Sequence, residues 1–253
     1  MPKHHPTSPK TVLGKVRLVL DQFTVERPQL TLTEIVRSSS LPKPTVFRLL
    51  QELTELGFVS QQGKRYRLGM ASFRLGMVAK QQLGLDAILD DLLQPLAQQT
   101  GETIITAALD RGQVLYLHVI ESKRPLRFVA GAGARRELPF GATSMALLCQ
   151  LSPDELSRLL VEPFHPYTAK TITALDLYLE RLQQAKRDSL VIERGEYYEG
   201  IMAIAVPIPN EKPLTFTVVG PEERVRPNQA VIVDQLREAA AKFAETGVEM
   251  PIA

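Results

Sequence analysis

The sequence predicts an α+β protein in two parts: a winged helix-turn-helix over residues 11–70, a linker helix over 71–85 and an α+β sheet domain over 86–253, behind a disordered tail of residues 1–10. Three observations predict it. Leu30 to Gly69 reads as helix, tight turn, helix and β-hairpin. A cut after Lys80 separates a basic first part from an acidic remainder. Beyond the cut, β-rich runs and amphipathic helices follow one another in an order that suits a sheet with helices packed on its faces.

In the first part, Val12, Leu13, Val16, Val19, Leu20 and Phe23 mark a first helix by their helical spacing. Thr31 followed by Glu34 is a capping-box pattern that starts a second helix, carries Ile35 and Val36 inward and runs out in Ser38 to Ser40. Pro42 opens a third helix, where a missing amide hydrogen costs nothing. Val46, Leu49, Leu50, Leu53 and Leu56 share its apolar face, and Gly57 ends it. The opposite face carries Pro44, Phe47, Arg48, Gln51 and Glu55. Arg48 and Gln51 are residue types that bond base edges in a major groove, Phe47 suits a thymine methyl, and Lys43 and Thr45 suit phosphates. The competing reading of this face is a solvated polar stripe; the neighbouring hairpin weighs against it. Phe58 to Ser60 and Arg65 to Leu68 form that hairpin, with Tyr66 and Leu68 on one side. Arg65 and Arg67 fall on the other, where with Lys64 they would flank a DNA backbone or merely solubilise a strand.

The charge asymmetry supports the first alternative. Residues 1–80 hold 13 Lys and Arg against 5 Asp and Glu, hence +8, while the rest holds 17 against 23, hence −6. That pattern fits a nucleic-acid-binding module joined to one that does not bind nucleic acid. No apolar run reaches the ~20 residues of a membrane span, and the N-terminus lacks the pattern of a signal peptide. With Cys149 the only cysteine and the four histidines dispersed, no disulfide framework, metal site or cofactor is expected, and the compartment should be the cytoplasm.

The second part follows in order. Ala71 to Leu83 is helix-compatible without one apolar stripe, a linker whose first turns would join two protomers. Ile88, Leu89, Leu92, Leu93 and Leu96 line a helix to Gln99; Thr103 to Ile120 is a hairpin turning at Gly112; Leu126 to Ala130 is a third strand. A glycine and arginine loop leads to an apolar helix from about Ala142. Ser152, Pro153 and Glu155 begin another helix, Leu175 to Lys186 is a third, Ile201 to Ile208 and Leu214 to Val219 are strands, and Val231 to Glu245 is the last helix. An anionic ligand would find amide donors at Gly141, Ala142, Thr143 and Ser144, with Phe128, Ala130, Leu138, Met145, Ala203 and Ile204 as walls. Equally, Thr143 and Ser144 could cap the helix while the apolar residues form core. Glu193, Glu196 and Glu199 could mimic catalytic carboxylates, but no activated nucleophile, metal-ligand set or phosphate loop accompanies them, so no catalytic residue is assigned.

The run L-P-K-P-T-V-F-R-L-L (Leu41 to Leu50), the G-F-V that begins the hairpin and the closing R-Y-R-L-G resemble the DNA-binding domain of IclR-type transcriptional regulators. T-G-E-T (Thr100 to Thr103), L-P-F-G-A-T (Leu138 to Thr143), S-P-D-E-L (Ser152 to Leu156) and E-Y-Y-E-G-I-M-A-I-A-V-P-I (Glu196 to Ile208) resemble that family's effector domain. The resemblance implies a PAS/GAF-like sensor for a small organic acid or aromatic metabolite, double-stranded operator DNA as partner, a homodimer or tetramer, and most commonly a repressor. It also implies that Glu193 lies near the ligand, where the family usually carries aspartate. Departures are Pro44 for a small hydroxyl or alanine, Ala203 for a frequent cysteine, and Ala146 and Leu147 for a glycine-lysine pair. They point to a more apolar pocket, or to a regulator that acts without a ligand.

Overall fold

A computed structural model describes residues 11–248; the tail expected over 1–10 and the last five residues lie outside it. The chain divides at Gly84 and Leu85 into two compact units, each with its own core.

In the first unit, Thr11 caps helix α1 (Val12–Leu20), which is shorter than the spacing predicts. Val19 and Phe23 enter the core, whereas Val12 and Leu13 are exposed. A two-residue strand β1 (Leu30–Thr31) precedes α2 (Leu32–Ser39). The capping box at α2 forms: Thr31 Oγ1 accepts from Glu34 N at 3.3 Å, and Glu34 Oε2 accepts from Thr31 N at 2.7 Å. Those bonds hold the Glu34 carboxyl below its ordinary range. Ser40 takes a left-handed conformation (φ 57°) and ends α2. Helix α3 (Lys43–Glu55) buries Val46, Leu49, Leu50 and Leu53. Leu56, expected on that face, is instead 66% exposed, because the helix ends just before it and the chain turns away at Gly57 (φ 74°). Strands β2 (Val59–Gln62) and β3 (Arg65–Leu68) make the hairpin, and β3 also pairs with β1, giving the order β1-β3-β2. Tyr66 is buried, but Leu68 is not. Helix α4 (Met70–Leu83) closes the unit and buries no residue.

The second unit is a six-stranded antiparallel sheet in the order β6-β5-β4-β9-β8-β7. Helix α5 (Leu85–Thr100) leads into β4 (Thr103–Asp110), which turns through Arg111 and Gly112, both with positive φ, into β5 (Gln113–Ile120). Strand β6 (Arg135–Arg136) is short, and α6 (Gly141–Leu148) and α7 (Pro153–Leu159) follow, the latter with a Ser152–Glu155 capping box. Then come α8 (Leu175–Asp188), β7 (Val191–Arg194), β8 (Ile201–Ile208), β9 (Leu214–Pro221), α9 (Glu222–Val225) and α10 (Gln229–Glu245). Helices α6 and α8 cover one face of the sheet, α5 and α10 the other. Strand alternation sends Ile105 and Ala107 to the α6 side. On the far side Phe216 meets Phe243 of α10, rings 5.8 Å apart.

The strand expected at Leu126 to Ala130 is irregular. Its carbonyls bond to side chains rather than to a neighbouring strand: Thr103 Oγ1 donates to Phe128 O at 2.7 Å and Arg224 Nη2 to Leu126 O at 2.9 Å. Arg224 also grips the buried Glu102 with two bonds of 2.6 and 2.9 Å. His118 is neither isolated nor part of a metal cluster; its ring lies 3.4 Å from Asp86 and 3.2 Å from Asp90. Among the described residues no helix is long and apolar enough to cross a membrane, and no group of three or more His, Cys, Asp or Glu could hold a metal.

Candidate nucleic-acid interface and ligand pocket

The outward face of α3 follows from its buried one. With Val46, Leu49, Leu50 and Leu53 turned inward, the helical period leaves Lys43, Pro44, Phe47, Arg48 and Gln51 exposed and Thr45 half-buried. Phe47 is 45% exposed, an aromatic ring carried on a surface rather than in a core. Arg48 Nη1 is bonded to Glu52 Oε1 at 3.2 Å. In the hairpin, buried Tyr66 anchors β3 and so turns Arg65 and Arg67 outward. Arg65 Nη1 reaches Gln29 O at 3.5 Å, Arg67 Nε donates to Ser60 Oγ at 3.1 Å, and Lys64 stands exposed in the turn. All nine residues expected at a nucleic-acid surface are thus on the first unit, and eight of them are exposed.

In the second unit a cavity of about 470 Å³, counting its open mouth, lies between the sheet and the start of α6. Ile105, Val114, Ile201, Ala203 and Val219 give it hydrocarbon walls. Phe140 caps α6 by backbone position alone, and among the described residues no side chain is seen bonded to the amide groups of the first turn. The capping role considered for Thr143 and Ser144 is therefore not seen; Thr143 Oγ1 lies 3.0 Å from Thr217 Oγ1. Phe128, Gly141, Thr143, Ser144, Glu193 and Ala203 line this cavity, and Met145 lines a smaller one beside it. Ala130 and Leu138 line neither and pack in the core. Ile204 neighbours Ala203 on β8 and faces the opposite side of the sheet, where it is fully buried.

Several residues at and beside the cavity lie outside those the sequence suggests. The Arg136 guanidinium sits 5.4 Å from the centre of the Tyr116 ring. Phe140 and Tyr197 lie parallel, 6.4 Å apart, and Tyr167 and Tyr198 each stand 4.5 Å from Tyr197. The one available signal was the aromatic pair Tyr197-Tyr198 just before an apolar strand. Glu193 is buried, and burial pushes its carboxyl above the ordinary range, against the two amides that bond it. Its Oε1 accepts from Glu196 N at 2.5 Å and Tyr197 N at 3.0 Å, holding the loop between Gly195 and Gly200. Glu196 pairs with Arg181 at 3.3 Å and lines the smaller cavity together with Glu193, while Glu199 is exposed and lines neither cavity.

A basic helix-turn-helix with a wing, joined to a sheet domain that encloses a pocket, defines a class: transcription regulators that carry a sensor on the same chain. Residues 12–63 match the IclR helix-turn-helix domain, and residues 77–245 match the bacterial transcriptional regulator IclR C-terminal domain. The chain is 34% identical over 207 residues to the HTH-type transcriptional regulator KdgR of Escherichia coli (strain K12), covering 80% of this chain and 78% of that protein. It is 25% identical to the transcriptional repressor IclR of the same organism, over 88% of this chain and 85% of the repressor. A solved IclR homologue from Microbacterium hydrocarbonoxydans, in complex with 4-hydroxybenzoate, superposes with a TM-score of 0.77 at 26% identity, over 91% of this chain and 96% of that one. The protein belongs to the IclR family of bacterial transcriptional regulators.

Proposed function

We propose that this regulator is a homo-oligomeric repressor whose paired α3 helices enter successive major grooves of operator DNA, and whose second-unit pocket takes a small organic acid or aromatic metabolite that alters operator affinity. Lys43, Pro44, Thr45, Phe47, Arg48 and Gln51 form the reading face; Lys64, Arg65 and Arg67 hold the backbone beside it. Half-sites then lie about one helical turn apart, or a multiple of it. Oligomer formation is supported by α4, where Met70 (74% exposed), Phe73 (58%) and Met77 (50%) present apolar surface with nothing buried beneath.

The observation that carries the ligand half is the start of α6: first-turn amides without a side-chain cap, opening into an aromatic-walled cavity that also holds the Arg136 guanidinium. Amides and guanidinium attract a carboxylate, and the rings suit a flat or apolar body. A second reading, a regulator whose sensor has lost its ligand, draws on Ala146 and Leu147, both fully buried where the family has a glycine-lysine pair. One experiment separates the two. The purified protein is melted with 4-hydroxybenzoate and a panel of small organic acids, and its affinity for genomic fragments selected from a library is measured with each. A bound acid raises the melting temperature and changes operator affinity, by a coupling of about 1 to 3 kcal/mol. No shift with any acid, while fragments are still selected, favours the ligand-free regulator; selection of no fragment sinks both.

A further inference from the structure

The outer face of α3 holds a residue that a phosphate-binding surface has no use for. Glu52 lies one turn after Arg48, 49% exposed against 64% for Arg48, and its Oε1 accepts a hydrogen bond from Arg48 Nη1 at 3.2 Å. As a contribution to helix stability such an exposed pair is minor. As an electrostatic feature it opposes DNA binding, because a carboxylate turned toward phosphates repels them. A carboxylate in a major groove offsets that repulsion by accepting from a base-edge amino group, for which cytosine N4 is the matching donor.

The geometry of the pair fits such a role. Bonding to Glu52 restrains one Nη of Arg48 and leaves the rest of its donor fork free to meet O6 and N7 of a guanine. Only Oε1 of Glu52 is engaged by Arg48, so Oε2 is left to accept. Four residues along a helix advance about 6 Å, against about 3.4 Å for one base step, so the two side chains address bases within two steps. Resting on the proposed reading of α3 as the groove helix, we infer that Glu52 is a specificity-determining residue, and that with Arg48 it reads a guanine and a cytosine within two steps of each other in every half-site.

The test selects DNA from a randomised duplex library with full-length wild type, Glu52→Ala and Glu52→Gln, after melting curves establish that all three fold. The wild type should enrich a guanine and a cytosine within two positions. Glu52→Ala should lose about tenfold in preference at the cytosine column, loosen the guanine column read by the released Arg48 to a lesser degree, keep the columns read by Phe47 and Gln51, and bind unselected DNA more tightly. Glu52→Gln should move that column toward adenine, which an amide bonds bidentately. Unchanged columns in Glu52→Ala, with affinity raised equally for all DNA, would overturn the inference while leaving α3 as the reader. Sequence-blind binding by the wild type would overturn both.

Discussion

Arg67→Ala tests the assignment of the wing to the DNA backbone. Arg67 lies on β3 beside the buried Tyr66 and donates to Ser60 Oγ at 3.1 Å, so its charge is held outward at a fixed place rather than swept through solvent. If that charge neutralises one phosphate, its loss lowers the slope of log affinity against log salt by about 0.9 for each copy, or about 1.8 for a dimer. Between about 50 and about 200 mM salt, a fourfold change, the wild-type advantage over the variant should then shrink by about tenfold. Fluorescence anisotropy on a labelled operator duplex and on a scrambled duplex of equal length measures both slopes. The change should be the same on the two, because a phosphate contact carries no sequence information. Equal slopes for wild type and variant would refute the backbone contact, and a change confined to the operator would make Arg67 a base reader instead.

The remaining predictions concern the sensor. Replacing Arg224 by Ala leaves the Glu102 carboxylate, 1% exposed, with only Arg124 at 4.0 Å among the described residues, and should cost roughly 3 to 5 kcal/mol in urea unfolding; a loss under about 1 kcal/mol would mean that water reaches Glu102. Gly220→Ala puts a Cβ 2.3 Å from Glu102 Oε2, a side chain pinned by that same arginine, so it should destabilise by roughly 1 to 3 kcal/mol. If it melts like wild type, the clasp is looser than its bonds indicate. Glu193→Gln isolates a titration. The folded carboxyl is raised above its ordinary value of 4.5, so the wild type loses stability as pH climbs from there through the folded pKa. The melting temperature of the variant minus that of the wild type should therefore grow with pH and then level off; a gap that narrows on the alkaline side would reverse the assigned direction.

Much of the fold was legible because its signals are local. The Thr31 and Glu34 pair, the proline at the start of α3 and Gly57 after its end each act within a few residues, so spacing alone located α2 and α3. The same holds for the β4–β5 hairpin, where Gly112 supplies a positive φ. Errors fell where distant partners decide. The run Leu126 to Ala130 has the composition of a strand, but Arg224, 98 residues further on, and Thr103 take its carbonyls. Strand β1 leaves no mark in the sequence because two residues carry no periodicity; it exists only through its pairing with Tyr66 and Arg65.

The two sites differ in legibility for the same reason. The α3 face is built from one helix, so the period that buries Leu49 and Leu50 also dictates which side chains point out. The pocket is built from strands that are remote in sequence. Register sets Ala203 opposite Val219 and Ile105 opposite Thr217, and alternation turns those four toward α6 while Ile204, one residue away, points to α10. The start of α6 announces itself in the sequence, as a glycine, alanine and hydroxyl run before an apolar helix, and the Tyr197-Tyr198 pair gives a weaker signal. Arg136, Tyr116 and Thr217 carry no local mark, since nothing near them in the chain tells which face of the sheet they occupy. A one-residue slip of β9 against β8 would exchange Thr217 and Val219 for Phe216 and Val218 at the cavity wall, so the chemistry of this pocket is a property of sheet register before it is a property of any motif.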